Sequence, residues 1–214
     1  MSPKTAIDHL TKDGLITIIR GDFSLEAQEN MAQALLDGGV TVLEVTLNTT
    51  DALKSIGNLK EKFGGDLLVG AGTVRTAQDV DKAVDAGATF LIAPCLDLAS
   101  VERAQHHNVL ILPGIFTASE AQTAYVAGCE TVKLFPADAM GPSYLKALRA
   151  PLNHIDFIPT GGVSPDTIAD FHGAGAVAFG IGSYLVNAKT SEANLSDLTE
   201  RAQTLRRALE SARG

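Results

Sequence analysis

Short apolar runs alternate along the chain with longer stretches in which apolar residues recur every three or four positions. Apolar runs of about four to eight residues are typical of buried strands, and the longer periodic stretches are typical of amphipathic helices. On this basis the sequence predicts eight strands, at residues 15–19, 40–47, 67–69, 89–92, 109–112, 131–134, 155–158 and 177–179. A short helix over residues 2–13 precedes the first strand, and a helix that begins near Leu195 closes the chain.

Strands that alternate with helices, without consecutive hairpins, predict an α/β fold with a parallel sheet. Eight strand–helix units fit a (β/α)8 TIM barrel better than an open doubly wound sheet of about five to seven strands. No linker or low-complexity stretch interrupts the pattern. We therefore predict that residues 1–214 form a single TIM-barrel domain with a short N-terminal helix.

Polar residues gather at the predicted carboxyl ends of the strands, where the active site of such a barrel lies. They are Arg20, Glu44, Thr46, Thr73, Thr117, Lys133, Thr160 and Ser183. Two of them, Lys133 and Glu44, are ionisable residues within a strand, and the interpretation of the site depends on them.

Lys133 lies in the middle of a β-prone run. Strand alternation puts Lys133 on the same face as Thr131 and Phe135, and puts Val132 and Leu134 on the other face. One interpretation is an edge-strand charge that discourages aggregation. The other is a buried amine, whose lowered pKa makes it a nucleophile that forms a Schiff base with a carbonyl group.

Alternation likewise puts Glu44 on the face of its strand opposite to Leu43 and Val45, so its side chain is predicted to point into the barrel. One interpretation is a structural salt bridge with Lys133, although buried ion pairs are costly to maintain. The other is catalysis, in which the carboxylate moves protons while the lysine forms and releases its Schiff base. A largely neutral amine near pH 7 needs a pKa about three units below the usual value of roughly 10.4, a shift that desolvation can supply.

Two glycine stretches follow the last two predicted strands. Residues 159–163 read Pro-Thr-Gly-Gly-Val and precede a helix predicted to open at Ser164, and residues 180–183 read Gly-Ile-Gly-Ser. These stretches could be no more than tight turns. Glycine-rich turns also offer N–H groups to an anion, and in barrels the loops after strands 7 and 8 commonly bind phosphate. We therefore predict a phosphate site here.

The chain has 214 residues, 45% of them hydrophobic and 20% charged, as in ordinary globular proteins. A formal net charge of −8 argues against a nucleic-acid or anionic-membrane surface, though not against a small anionic substrate. No apolar run is long enough to span a bilayer, and charged residues break the N-terminal stretch, so a cytoplasmic protein is predicted. Cys95 and Cys129 lack metal-site spacing and are predicted to be reduced thiols.

The histidines do not suggest a metal site, because none lies at the carboxyl end of a predicted strand. They are His9, His106, His107, His154 and His172, all on predicted helices or loops. A metal-dependent epimerase, one alternative on this fold, would place His and Asp ligands at those strand ends. A catalytically silent phosphosugar-binding barrel is a second alternative. The sequence therefore predicts neither a metal nor a cofactor.

Five motifs, taken in order, carry a resemblance to a known family. They are Leu-Glu-Val-Thr-Leu at 43–47, Gly-Ala-Gly-Thr-Val at 70–74, Pro-Gly at 113–114 with Thr117 and Glu120, Lys-Leu-Phe-Pro-Ala at 133–137, and Pro-Thr-Gly-Gly-Val at 159–163. The chain resembles, over about residues 10–210, the 2-keto-3-deoxy-6-phosphogluconate (KDPG) aldolases, also called KHG/KDPG aldolases.

The resemblance implies a class I aldolase of the Entner–Doudoroff type, usually a homotrimer and without a cofactor. Such an enzyme cleaves a phosphorylated keto-sugar acid to pyruvate and glyceraldehyde 3-phosphate. By resemblance Lys133 is the Schiff-base lysine and Glu44 the general acid and base. The other matching positions are Thr73, Pro94 and Phe135 at the pyruvate end and Thr160, Gly161, Gly162, Gly182 and Ser183 at the phosphate end.

One position departs from the family pattern. Several members carry an arginine for the substrate carboxylate where this chain has Asn48, and Arg20 could supply that charge from the first strand. Members that act on the galactonate epimer resemble this chain at both positions. The resemblance therefore leaves open KDPG, 2-keto-3-deoxy-6-phosphogalactonate and 4-hydroxy-2-oxoglutarate as substrates.

Overall fold

The computed structural model describes the backbone of residues 1–214 and the side chains of residues 1–191 and 193–214. The helices are α1 (Pro3–Asp13), α2 (Leu25–Asp37), α3 (Ala52–Phe63), α4 (Ala77–Asp85), α5 (Leu98–His106), α6 (Ala118–Val126), α7 (Gly141–Arg149), α8 (Ile168–Gly173) and α9 (Leu195–Arg213). The strands are β1 (Leu15–Ile19), β2 (Val42–Thr46), β3 (Leu68–Gly72), β4 (Phe90–Ile92), β5 (Leu110–Leu112), β6 (Gly114–Ile115), β7 (Thr131–Leu134), β8 (Asp156–Pro159) and β9 (Phe179–Ile181).

The strands pair in parallel in two sheets, with the orders β5-β4-β3-β2-β1-β9 and β6-β7-β8. Only Pro113 separates β5 from β6. On the other side, Thr160 after β8 forms a parallel bridge with Gly180 in β9, and the Val177 N–H donates to the Phe157 carbonyl at 3.1 Å. The structure thus confirms the predicted α/β fold, with a curled parallel sheet.

Several strand boundaries differ from the prediction by one to three residues; β3, for example, is predicted at 67–69 and spans Leu68–Gly72. Three other differences follow from hydrogen bonding. The fifth strand is divided at Pro113, because proline has no N–H to contribute to the ladder. The last strand runs from Phe179 to Ile181, two residues later than predicted, because its register with β1 pairs Leu15 with Phe179. The helix predicted to open at Ser164 begins only at Ile168, because residues 165–167 form a turn first.

Apolar side chains form two layers on opposite faces of the strands. The larger layer, which includes Leu43, Val132 and Leu134, lies between strands and helices. The inner cluster consists of Leu10, Ile16, Val42, Leu68, Phe90, Ile92, Leu112, Ile158 and Ala178. Leu10 comes from α1, which is capped by Ser2 and Gly14, so this helix covers the amino ends of the strands. The carboxyl ends of the strands lie at the opposite end of this cluster.

Within the described chain, no helix combines the length and the apolar character needed to cross a bilayer. Cys95 and Cys129 are free thiols, the first exposed and the second buried.

Candidate active site

Lys133 stands on the inner face of β7, as alternation predicts. It pairs in register with Gly114 on β6 and Ile158 on β8, while Val132 and Leu134 pack in the outer layer. Its side chain is buried, with 4% of the residue exposed. The Nζ atom lies 4.9 Å from the centroid of the Phe135 ring. The edge-strand interpretation is therefore wrong, because β7 lies between β6 and β8 and its lysine is buried.

Glu44 stands on the inner face of β2, in register with Ile18 on β1 and Gly70 on β3. It is 1% exposed, and its Oε1 atom has no hydrogen-bond partner among the described residues. The carboxylate lies over Gly72 at the end of β3, where a Cβ atom would collide with Oε1. A buried acceptor without a partner is unusual, because it keeps the full cost of desolvation. Such an atom is available to a bound molecule.

Burial dominates the electrostatics of both groups. It raises the pKa of Glu44, and the nearby cations of Lys133 and Arg20 offset that rise only in part. It lowers the pKa of Lys133; Glu44 opposes this shift and Arg20 adds to it. Desolvation therefore favours a neutral amine facing a carboxyl group that can hold a proton.

Lys133 and Glu44 do not bond to each other directly: no ion pair within 4.0 Å joins these two described side chains. The structure thus contradicts the alternative of a structural salt bridge between them. The two groups are nevertheless close enough to affect each other's pKa.

A cavity of about 410 Å³ opens at the carboxyl ends of β1, β7, β8 and β9. Eight residues predicted for the site line it: Arg20, Lys133, Phe135, Thr160, Gly161, Gly162, Gly182 and Ser183. The structure therefore brings together residues that are far apart in the sequence. The lining thus includes Lys133 and residues of both glycine stretches.

Glu44, Thr73 and Pro94 are not among the residues that line this cavity, although Thr73 and Pro94 lie at the carboxyl ends of their strands. Thr73 directly follows Gly72 and has a positive φ of 59°, which is rare for a residue with a branched side chain. The Pro94 carbonyl lies against Gly114, the residue paired with Lys133 on the neighbouring strand. Thr73 is therefore next in the chain to the glycine over which Glu44 lies. Pro94 contacts the glycine that pairs with Lys133.

The first glycine stretch packs against the segment that follows β7. Gly161 and Gly162 have positive φ values of 105° and 68°, and a Cβ atom on either would press on Asp138. The Ala137 N–H donates to the Thr160 carbonyl at 2.9 Å. Glycine is thus required here by both the backbone conformation and the space available.

Val163 and Gly180, which also line the cavity, belong to the two predicted glycine stretches. Five further lining residues were not predicted from the sequence: Ile18, Tyr184, Val186, Asn187 and Ala188. Most belong to the segment after β9, which has no periodic pattern. Their position beside Ser183 was the only available signal. Thr117, one of the polar strand-end residues, caps α6 in a reciprocal arrangement with Glu120, which confirms the capping box that their spacing predicts.

The family model described as "Aldolase: KDPG and KHG aldolase" matches residues 7–201. The chain belongs to the KDPG and KHG aldolase family. It is 36% identical over 182 residues to the 2-dehydro-3-deoxy-6-phosphogalactonate aldolase of Escherichia coli K12, which covers 85% of this chain and 88% of that protein. It is 35% identical over 211 residues to the KHG/KDPG aldolase of the same organism, covering 98% of each chain.

A solved KDPG aldolase structure is also similar. The Legionella pneumophila enzyme, with pyruvate captured at low pH as a covalent carbinolamine intermediate, matches with a TM-score of 0.83 and 29% identity, covering 96% of this chain and 98% of that one. The chain is therefore an aldolase, a carbon–carbon lyase. In this KDPG and KHG aldolase, the side chains described at residues 1–191 and 193–214 include no group of three or more His, Cys, Asp or Glu residues able to hold a metal ion.

Proposed function

We propose that the protein is a class I aldolase that cleaves KDPG to pyruvate and D-glyceraldehyde 3-phosphate. Lys133 would be the Schiff-base nucleophile and Glu44 the general acid and base. The observation that carries the proposal is the burial of both residues, with Lys133 in the wall of the cavity and with the Oε1 atom of Glu44 left without a hydrogen-bond partner among the described residues. Burial keeps the amine nucleophilic and lets the carboxyl group both give and take a proton.

The reaction would proceed through covalent intermediates on Lys133. The neutral Nζ of Lys133 attacks the C2 carbonyl. Glu44, as carboxylic acid, gives its proton to the hydroxyl group of the resulting carbinolamine, which leaves as water, so that a protonated imine and the Glu44 carboxylate remain. Glu44, as carboxylate, takes the proton of the C4 hydroxyl as the C3–C4 bond breaks, releasing the aldehyde, and the imine accepts the electron pair to become an enamine. Protonation of the enamine at C3 and hydrolysis of the imine then release pyruvate and restore Lys133.

The remaining residues would bind the two ends of the substrate. Arg20, at the cavity beside Lys133, would bind the carboxylate, while Thr73, Pro94 and Phe135 would form the pyruvate end. The phosphate would lie among Thr160, Gly161, Gly162, Gly182 and Ser183. This assignment is supported by the backbone N–H groups of Gly162, Gly182 and Ser183, which donate to no other residue that the structure describes.

The galactonate epimer is the second candidate substrate, and 4-hydroxy-2-oxoglutarate the third. The galactonate candidate is supported by the combination of Arg20 with Asn48 and by the relative named a 2-dehydro-3-deoxy-6-phosphogalactonate aldolase. We further propose that the strands close into an eight-stranded (β/α)8 barrel, that residues 1–214 form one domain, and that the enzyme is a cytoplasmic homotrimer. Analytical ultracentrifugation would test the trimer.

The decisive experiment combines an assay with covalent trapping. Pyruvate release, coupled to lactate dehydrogenase, is followed with the gluconate and galactonate epimers side by side, and a non-catalytic sugar-binding barrel would release none. Incubation with pyruvate and borohydride should add one reduced pyruvyl group of about 72 Da per chain and inactivate the enzyme. Peptide mapping should find this mass on Lys133. Modification of the exposed Lys146 on α7 instead, or cleavage without any trapping, would contradict the mechanism.

A further inference from the structure

The segment after β9 forms one wall of the cavity, and its main-chain carbonyls are held by specific donors. Gly182, Ser183, Tyr184, Val186, Asn187 and Ala188 all line the cavity. The Gly182 carbonyl accepts hydrogen bonds from the N–H groups of Leu185 and Val186, at 3.0 and 3.1 Å. The Ser183 carbonyl accepts from Nδ2 of Asn187 at 3.0 Å.

These bonds determine where the neighbouring N–H groups point. In a trans peptide the C=O and N–H of one unit point in opposite directions. Because the Gly182 carbonyl is turned toward Leu185 and Val186, the N–H of Ser183 points away from them. Because Asn187 holds the Ser183 carbonyl, the N–H of Tyr184 is oriented in the same way. Neither of these two N–H groups donates to a residue in the described part of the chain.

Asn187 is itself held in one orientation. Its Oδ1 accepts from the Lys189 N–H at 2.9 Å, and its own N–H donates to Oγ1 of the buried Thr190 at 3.1 Å. The amide group is therefore assigned without ambiguity, with Nδ2 directed to the Ser183 carbonyl.

A residue of helix α9 holds a second main-chain carbonyl of the same segment. Arg201 on α9 donates through Nη1 to the Tyr184 carbonyl at 3.0 Å. Its Nη2 atom lies 3.1 Å from Oδ2 of Asp197, which orients the guanidinium group. Arg201 is outside the set of residues that line the cavity, so it can act on a bound molecule only through the segment that it holds or through its long-range charge.

We propose that Asn187 and Arg201 are positioning residues for the anionic end of the substrate. Asn187 holds the Ser183 carbonyl and thereby directs the Tyr184 N–H toward the phosphate. Arg201 holds the Tyr184 carbonyl and with it the Leu185 N–H, whose bond to the Gly182 carbonyl directs the Ser183 N–H toward the phosphate. This inference rests on the proposed function, in which that end of the cavity binds phosphate. On this inference, the selectivity for a phosphorylated substrate depends also on two side chains outside the glycine stretches.

The test separates the phosphate end from the pyruvate end. Asn187→Ala and Arg201→Met should each raise the KM for the phosphorylated substrate about tenfold, the effect of losing roughly one net hydrogen bond. The inhibition constant of inorganic phosphate should rise by the same factor. The kcat value and the exchange of pyruvate methyl protons in D2O, a reaction without phosphate, should stay within about twofold of wild type.

Lys189→Ala is the matched control, because it removes an exposed cation from the same segment and keeps the N–H that bonds to Asn187. It should change the KM by less than about twofold, which separates positioning from the loss of positive charge. An unchanged KM in Asn187→Ala and Arg201→Met would overturn the inference. So would an equal fall in pyruvate exchange and substrate cleavage, which indicates a general loss of structure. Absence of cleavage by the wild-type protein would instead defeat the proposed function itself.

Discussion

The Oε1 atom of Glu44 on β2 occupies the place that a Cβ atom would need at Gly72 on β3. Gly72 does not have a positive φ, so its backbone conformation is open to any residue. A side chain at position 72 is excluded by the Glu44 carboxylate and not by the backbone conformation. The second glycine of the Gly-Ala-Gly-Thr motif thus provides the space in which Glu44 lies.

Gly72→Ala should therefore displace the Glu44 carboxylate and lower kcat by at least about 100-fold, the scale of a lost general acid or base. Overpacking should also reduce the free energy of unfolding by about 1–3 kcal/mol. The control is Gly57→Ala in α3, where the nearest atom to a new Cβ is the Ala86 carbonyl oxygen at 3.6 Å. That change should leave kcat unaltered and stabilise the helix slightly. Full activity of Gly72→Ala would show that the Glu44 position is not critical.

Glu44→Gln keeps the shape of the side chain and removes its ability to carry a proton. We expect kcat to fall by about 100-fold to 10,000-fold, while pyruvate can still be trapped on Lys133 by borohydride. The direct measurement is the exchange of pyruvate methyl protons for deuterium, followed by NMR. Exchange at the wild-type rate would exclude Glu44 as the base.

Lys133→Met should stabilise the fold at neutral pH, because it replaces a buried amine with an apolar side chain of similar length. Burial lowers the folded-state pKa of Lys133 below the ordinary value of 10.5, so between these two pKa values the unfolded chain binds more protons. The stability of the lysine form therefore rises with pH across that window. The gain from Lys133→Met, about 1–3 kcal/mol at pH 7, should shrink as the pH approaches that ordinary value.

Urea unfolding at pH 7 and pH 9.5 would measure this difference, preferably in a Glu44→Gln background in which residue 44 does not titrate. A gain that is constant with pH, or that grows, would show that the Lys133 amine is not perturbed by burial.

Arg20→Ala should raise the KM for the substrate and weaken pyruvate binding about tenfold or more, because pyruvate has a carboxylate but no phosphate. Asn48→Ala is the control, since this exposed side chain offers no cation at the position of the family's arginine. It should have little effect. If Arg20→Ala leaves pyruvate affinity unchanged but weakens inorganic phosphate, Arg20 belongs to the phosphate end instead.

Much of the architecture was predictable because it depends on local patterns. Side chains alternate along a strand because the extended backbone is pleated, so Lys133 and Glu44 could be assigned to the face opposite Val132 and Leu43 without knowledge of their neighbours. The eight apolar runs and the intervening helices likewise indicated a parallel α/β fold. The errors, at Pro113, Ser164 and the last strand, occurred where hydrogen-bond partners from distant strands and turns define the boundary.

The inward-facing residues and the motifs that carry the aldolase resemblance can be identified from the order of the amino acids. Only the tertiary structure decided that Lys133 and Glu44 stand apart without a direct ion pair, that Glu44 lies over Gly72, and that Asn187 and Arg201 hold the wall of the cavity. The difference arises from how far apart along the chain the interacting residues are. A strand's periodicity depends on adjacent residues, whereas distances between side chains depend on strand register, loop path and packing between residues far apart in the chain.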